Sequence, residues 1–288
     1  MKAAIWQDSY GKSRVRLTKV RREGDRHEVT EISVDIELRG DFAAAYSAGD
    51  NRMVLPTDTM KNTVYALARE EELPAIEPFA WKLARHFVDS FSHVEVATVQ
   101  IAERPWQRAV VQEQEHPHVF LGNTTERYTC SSTVVRDSGE PMESEIRSGL
   151  VGLALMKTAE SGFANFLRDK YTTLADTNDR ILATTVEVEW TYNESPKDYC
   201  RMRRRVREIL IDTFAADFSP SVQATMYEMA TAVLLKKPCV DSIRLVMPNQ
   251  HRLLVNLESF GLDNPNEIFV PTDEPFGVIS AEFTREGN

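Results

Sequence analysis

What limits this chain most is a period-two alternation of apolar and polar residues that returns in both halves, in the same order relative to two helical stretches. SRVRLTKV (13–20) and EVTEISVDIEL (28–38) alternate as half-buried antiparallel strands do. A helix beginning at Thr57 or Asp58 and running to about Glu71 follows, with either residue able to cap it. A second helix, Glu77 to Ser92, sets Phe79, Leu83, Phe87, Val88 and Phe91 on one face. Strand patterns return at 94–103 and 116–122. The second half repeats the order: strands at 148–158 and 181–192, helices at 198–216 and 220–236, then strands at 240–247, 251–258 and 276–285. Ser219 before Pro220 reads as the N-cap of the later helix. Strand, strand, helix, helix, strand, strand, taken twice, predicts an α+β protein of antiparallel sheets with helices on one side, divided into domains at 1–140 and 141–288. At 288 residues each half is long enough to bury its own core.

Charge narrows the function classes. Lys and Arg number 34 against 44 Asp and Glu, a net charge of −10, which argues against a general nucleic-acid or anionic-membrane binder. The basic run Arg201, Arg203, Arg204, Arg205 and Arg207 shares a helix with Met202, Val206, Leu210 and Phe214, and reads as the solvated side of an amphipathic helix. No apolar run approaches the roughly 20 residues of a membrane helix; LVGLALM (150–156) is the longest near the middle. Met1 to Lys12 lacks a signal-peptide pattern, the TREGN end is not the S-K-L peroxisomal address, and Cys130, Cys200 and Cys239 form no C-x-x-C pair, so a reducing cytoplasm is expected.

Chemistry concentrates in short polar blocks. FANFLRDKYTTLADTNDR (163–180) holds a ring, Phe163, an apolar residue, Leu174, and a permanent cation, Arg180. A guanidinium offers a planar fork of donors that matches a planar anion two bonds at a time, and loops carry function disproportionately. Tyr10-Gly11-Lys12 precedes a strand, and its lysine becomes a usable base only if desolvation or a cationic neighbour lowers its pKa. TDTMKNTVY (57–65) opens a helix, where T-D-T is also what capping alone selects. SVQATMY (221–227) brings Val222 and Gln223, an amide with both donor and acceptor; MPNQH (247–251) brings Asn249 and His251, and by itself is a turn leading into a strand. His86 and His93 lie near the second helix, and His116 and His118 share a strand face; with no H-E-x-x-H and no completing Cys or carboxylate set, no metal site is expected.

Taken in order, YGK, TDTMKNTVY, FLRDKYTTLADTNDR, SVQATMY and PNQH resemble the signature blocks of the urate oxidase (uricase) family at compatible spacing. Gln250 stands where some relatives carry Lys, and Met247 where many carry Leu. The resemblance implies two tandem tunnelling-fold (T-fold) domains whose sheets join those of other subunits in a barrel around a tunnel. It implies oxidation of urate by dioxygen and water to 5-hydroxyisourate and hydrogen peroxide, without metal or organic cofactor. It assigns Lys12, Thr57 and His251 to a proton relay, and Asp58, Phe163, Leu174, Arg180, Val222, Gln223 and Asn249 to substrate or oxygen contacts. A homotetramer is implied, with sites between subunits, Lys12 and Thr57 of one facing Phe163 and Arg180 of another. Another tunnelling-fold enzyme acting on a pterin or guanine nucleotide, often with zinc, and a purine-binding relative without turnover remain open at this point.

Overall fold

The computed structural model describes residues 3–122, 124–137 and 140–285. Met1, Lys2 and the terminal Glu286, Gly287 and Asn288, on which the expectations about targeting partly fall, lie outside the described residues. The chain divides into two compact units, Met1–Gly149 and Leu150–Asn288.

The first unit runs β1 (Tyr10–Glu23), β2 (Arg26–Gly40), α1 (Ala43–Ala48), α2 (Thr57–Glu70), α3 (Ile76–Ser90), β3 (Val94–Arg104), β4 (Gln107–Val111), β5 (Gln114–Leu121) and β6 (Arg127–Asp137), ending in β7 (Glu140–Lys157), which crosses the boundary. Its sheet order is β1-β2-β3-β6-β7, and β1, β2, β3 and β6 pair antiparallel in that sequence. Alternation decides the two faces. Ile32, Val34, Ile36 and Leu38 of β2 and Ala97, Val99 and Ile101 of β3 bury against Phe79, Leu83, Phe87 and Val88 of α3 and Met60 and Val64 of α2. Each large side chain so buried contributes about 1.5–3 kcal/mol.

The second unit carries β7, β8 (Leu182–Tyr192), α4 (Tyr199–Ala216), α5 (Val222–Lys236), β9 (Val240–Leu254), a single 3-10 turn (Glu258–Phe260) and β10 (Phe269–Thr284), in the sheet order β7-β8-β9-β10. It repeats the α+β arrangement of the first unit: two strands, then helices (α4 and α5 here, α1, α2 and α3 there), then further strands of the sheet. An arginine pair marks the equivalence. Arg136 of β6 donates to the carbonyls of Val88, Phe91 and Val94, tying the end of α3 to the start of β3. Arg285, just past β10, donates to Leu234, Lys237 and Val240 in the same way between α5 and β9. In both units a guanidinium satisfies carbonyls that a helix end leaves without intrahelical partners.

Four local expectations are corrected. The N-cap position of α2 is Pro56, with no side-chain cap bond; Thr57 is already helical, and Asp58 turns instead to Lys61 Nζ (2.5 Å) and Asn62 Nδ2 (3.1 Å). The cap of α5 is Ser221, whose hydroxyl accepts from the Ala224 N–H, because Ser219 is held in a bridge to Ser161 and Pro220 leads the chain out of it. The break at Pro248-Asn249 does not occur: β9 runs through it, and the irregularity is taken up by β10, whose register jumps between Thr272 and Gly277. Arg203 is not solvated with its neighbours; it is buried among Val206, Ile209 and Leu210, with Nη2 3.3 Å from Cys200 Sγ.

The α1 turn, the β4–β5 hairpin and β6 had no counterpart in the predicted elements, apart from the overlap of β5 with 116–122. β6 escaped because Cys130, Ser132 and Val134 face inward, a row too small and polar to register as apolar alternation. Among the described residues, no helix is long and apolar enough to cross a membrane.

Candidate active site

In the first unit, the candidate residues Lys12, Thr57 and Asp58 lie on β1 and at the start of α2. Gly11 is required by contact: a Cβ there would lie 1.8 Å from the Ile36 carbonyl oxygen across the β1–β2 pair. A bulge follows between Lys12 and Val15, with Arg14 at φ 56° and its N–H donating to Asp35 Oδ1 at 2.9 Å. Bulges of this kind occur next to sites; here Ser13 and Arg14 together oppose Asp35, and Lys12, half-buried, is the last residue in register before them, opposite Ile36. Tyr10 connects the two blocks. Its Oη accepts from the Leu55 N–H (2.8 Å), two residues before Thr57, while its ring packs edge-on against Phe42 at 4.7 Å. Burial raises the Tyr10 pKa above its ordinary value, so it stays a neutral phenol in that role.

Lys12, Thr57 and Asp58 therefore share one end of the first unit. The Asp58 pKa is lowered chiefly by its hydrogen bond to Lys61, with Asn62 and the charge of Lys12 adding to it, which sets Lys12 within electrostatic reach of α2. No Lys12–Thr57 hydrogen bond forms among the described residues, and the Thr57 hydroxyl, spared from capping, is unpartnered among them. Catalytic hydrogen bonds are often long without substrate and tighten in the complex.

In the second unit, the segment between β7 and β8 is folded back by backbone bonds. Ser161 bridges Ser219, and Phe163 bridges Thr177, with the Phe163 N–H donating to the Thr177 carbonyl at 2.7 Å and the reverse bond at 3.0 Å. The Arg180 N–H donates to the Ser161 carbonyl at 2.9 Å. These bonds gather Phe163, Arg180 and the first residues of α5, Val222 and Gln223, around one strap. The Arg180 guanidinium carbon lies 5.5 Å from the Phe163 ring centroid. Its Nε is buried with no hydrogen-bond partner among the described residues, and burial lowers its pKa from the ordinary value. Arginine remains charged at neutral pH, so a half-buried cation is left with an unused donor. Val222 is 3% exposed, which leaves its backbone at the first turn of α5 as its polar contribution; Gln223 and Leu174 are exposed.

Asn249 and His251 stand half-buried on β9, next to the Ala183↔Gln250 pair of β8, and Arg180 precedes that pair by three residues. Opposite them β10 pairs Thr272 with His251 and Gly277 with Asn249, and its register jumps between those two pairs. Gln250 turns to Thr185 Oγ1 at 3.1 Å, to the β8 side.

Sequence reasoning did not single out Tyr10 or the Ser161–Ser219 bridge. Tyr10 stood inside a quoted block, and its signal was the aromatic beside the glycine; the bridge joins distant segments and carries no local pattern. The His116 and His118 rings meet edge to face at 4.6 Å on β5, and His118 lies 5.7 Å from His27. Among the described residues, no group of three or more His, Cys, Asp and Glu could hold a metal ion.

With this geometry in view, comparison with known proteins is specific. The family model for uricase matches residues 8–133 and 146–280. The chain is 43% identical to the uricase of Arthrobacter globiformis over 287 residues, covering all of this chain and 92% of that protein. It is 40% identical to Uricase-2 of Phaseolus vulgaris, covering 97% of this chain and 95% of that protein. The crystal structure of uricase from Arthrobacter globiformis superposes with a TM-score of 0.92 at 42% identity, covering 100% of this chain and 97% of that one.

Proposed function

Because this chain belongs to the uricase family, we propose that it oxidises urate through two half-sites, the β1–α2 end of one subunit and the Phe163–Arg180 strap with the α5 start of another. The reaction adds dioxygen and water to urate and yields 5-hydroxyisourate and hydrogen peroxide. Two electrons leave the purine and reduce dioxygen to peroxide, and the water oxygen becomes the new C5 hydroxyl.

Phe163 stacks on the purine, a contact worth about 1–3 kcal/mol for a nucleobase. Arg180 takes one edge of the anion through two parallel hydrogen bonds, and Gln223 with the Val222 N–H takes the opposite edge. Leu174 borders the ring, and Asp58 contributes from the neighbouring subunit. The observation that carries this reading is the buried Nε of Arg180, without a hydrogen-bond partner among the described residues and beside the Phe163 ring: a charged donor held out of water calls for an acceptor. A site that hydrogen-bonds several edge groups rejects analogues that lack them.

Lys12, Thr57 and His251 move the protons between urate, peroxide and water, while Asn249 faces the position taken first by dioxygen and then by water. The urate anion itself is electron-rich, so the protein supplies orientation and electrostatics, and no metal or organic cofactor enters. The assembly is a homotetramer, which unites the half-sites. Among the described residues Cys130, Cys200 and Cys239 form no disulfide, which fits a reducing cytoplasm.

The test is to treat the purified protein with a chelator, mix it with urate in air, and follow urate absorbance and peroxide together. One peroxide is expected per urate consumed; no urate loss above the protein-free rate would overturn the reading.

A further inference from the structure

Between the two strands of the strap lies a second, layered arrangement that makes none of the proposed substrate contacts itself. Phe166 stacks on Phe163 with ring centroids 4.8 Å apart and planes 10° from parallel. The Arg168 guanidinium lies 4.5 Å over Phe166. The same guanidinium donates through Nη1 to the Leu174 carbonyl (2.8 Å) and through Nη2 to Asp176 Oδ1 (2.9 Å), and that carboxylate oxygen also accepts from the Asn165 N–H at 3.3 Å.

We propose that Arg168 and Phe166 are positioning residues that fix the plane of Phe163 and the place of Leu174, so that urate stacks on the Phe163 face turned away from Phe166. The proposal rests on the reading of Phe163 as urate's stacking partner. A parallel ring at 4.8 Å occupies one face of Phe163 and leaves one face for a ligand. Arg168 locks this arrangement from behind, because one planar fork does three things at once: it covers Phe166, pairs with Asp176 and holds the Leu174 carbonyl. Lysine cannot reproduce that, since a point charge lacks both the flat face and the two-directional donors. Arg168 and Asp176 are each about half exposed, so their ion pair alone adds little to stability. Its use is geometric: without it, the tip that bears Phe166 and Leu174 is released while the backbone bridges at Ser161 and Phe163 stay closed.

Ordering that tip before urate arrives removes a cost of binding, so its loss falls on affinity. Arg168→Ala and Phe166→Leu are each expected to raise the KM for urate about 10-fold while kcat stays within about 3-fold. Phe166→Tyr, which keeps the stack, should restore the wild-type KM, and Arg168→Lys should not. The double variant Phe166→Leu with Arg168→Ala should raise KM no further than either change alone, because both break one stack. Thermal midpoints measured alongside separate this from a general loss of fold. Unchanged KM in Arg168→Ala, or an additive double variant, would overturn the proposal while wild-type turnover stands. Absence of wild-type turnover in the same assay would instead overturn the functional reading beneath it.

Discussion

Replacing Arg180 with alanine is expected to lower kcat/KM for urate by about 10³-fold, roughly 4 kcal/mol, from the loss of two charge-assisted hydrogen bonds. Both parameters should move, KM rising and kcat falling, because the guanidinium holds the anion in the ground state and keeps holding it as charge redistributes toward oxygen. The fold should survive. The bond that closes the strap is donated by the Arg180 backbone N–H to Ser161, and alanine retains it. The side chain, by contrast, has a buried Nε with no partner among the described residues, so truncation relieves a desolvated donor rather than breaking a structural pair. Arg180→Lys should recover a minor part of the activity, since charge is kept and the planar fork is lost. Steady-state kinetics beside the dissociation constant of a non-reacting purine analogue will show whether both binding and turnover respond.

Thr57→Ala should behave differently: kcat falls about 10²–10³-fold, as loss of a positioned proton-transfer group does, while KM stays within about 3-fold. Stability makes the prediction sharper. Were Thr57 a helix cap, alanine would cost about 0.5–2 kcal/mol of folding stability. Pro56 is the N-cap position, and α2 starts without any side-chain cap bond, so the expected stability change is within about 0.5 kcal/mol. A thermal midpoint that drops with activity would return Thr57 to a structural role; an intact midpoint with lost turnover supports the relay. A rise in KM with turnover preserved would contradict the relay as well.

The sheet faces were legible because the chain writes them in contiguous letters, and the candidate site residues stand in short polar blocks. The alternation of Ile32, Val34, Ile36 and Leu38, and of Val186, Val188 and Trp190, announced strands whose buried faces are those residues. Phe163, Arg180, Gln223 and His251 stood out because each sits in a polar block with a flat or forked partner chemistry. The rest depended on contacts between distant segments. Nothing near Ser219 says that it bridges Ser161 and so yields the helix cap to Ser221. Nothing near Tyr10 says that its hydroxyl receives the Leu55 N–H. Asp176 looks like any loop acid until Arg168 and the Asn165 N–H converge on it. Likewise the continuity of β9 through Pro248 was hidden because the compensating irregularity lies in its partner, β10.

That one subunit holds urate and its neighbour helps convert it can be tested by restoring activity from two inactive variants. Thr57→Ala and Arg180→Ala chains, separately tagged, are co-expressed in equal amounts and the mixed oligomers assayed for urate loss. If the half-sites come from different chains, random mixing makes about one site in four from two wild-type halves, and about a quarter of wild-type activity returns. If activity stays at the average of the two single variants, both halves come from one chain and the account is contradicted.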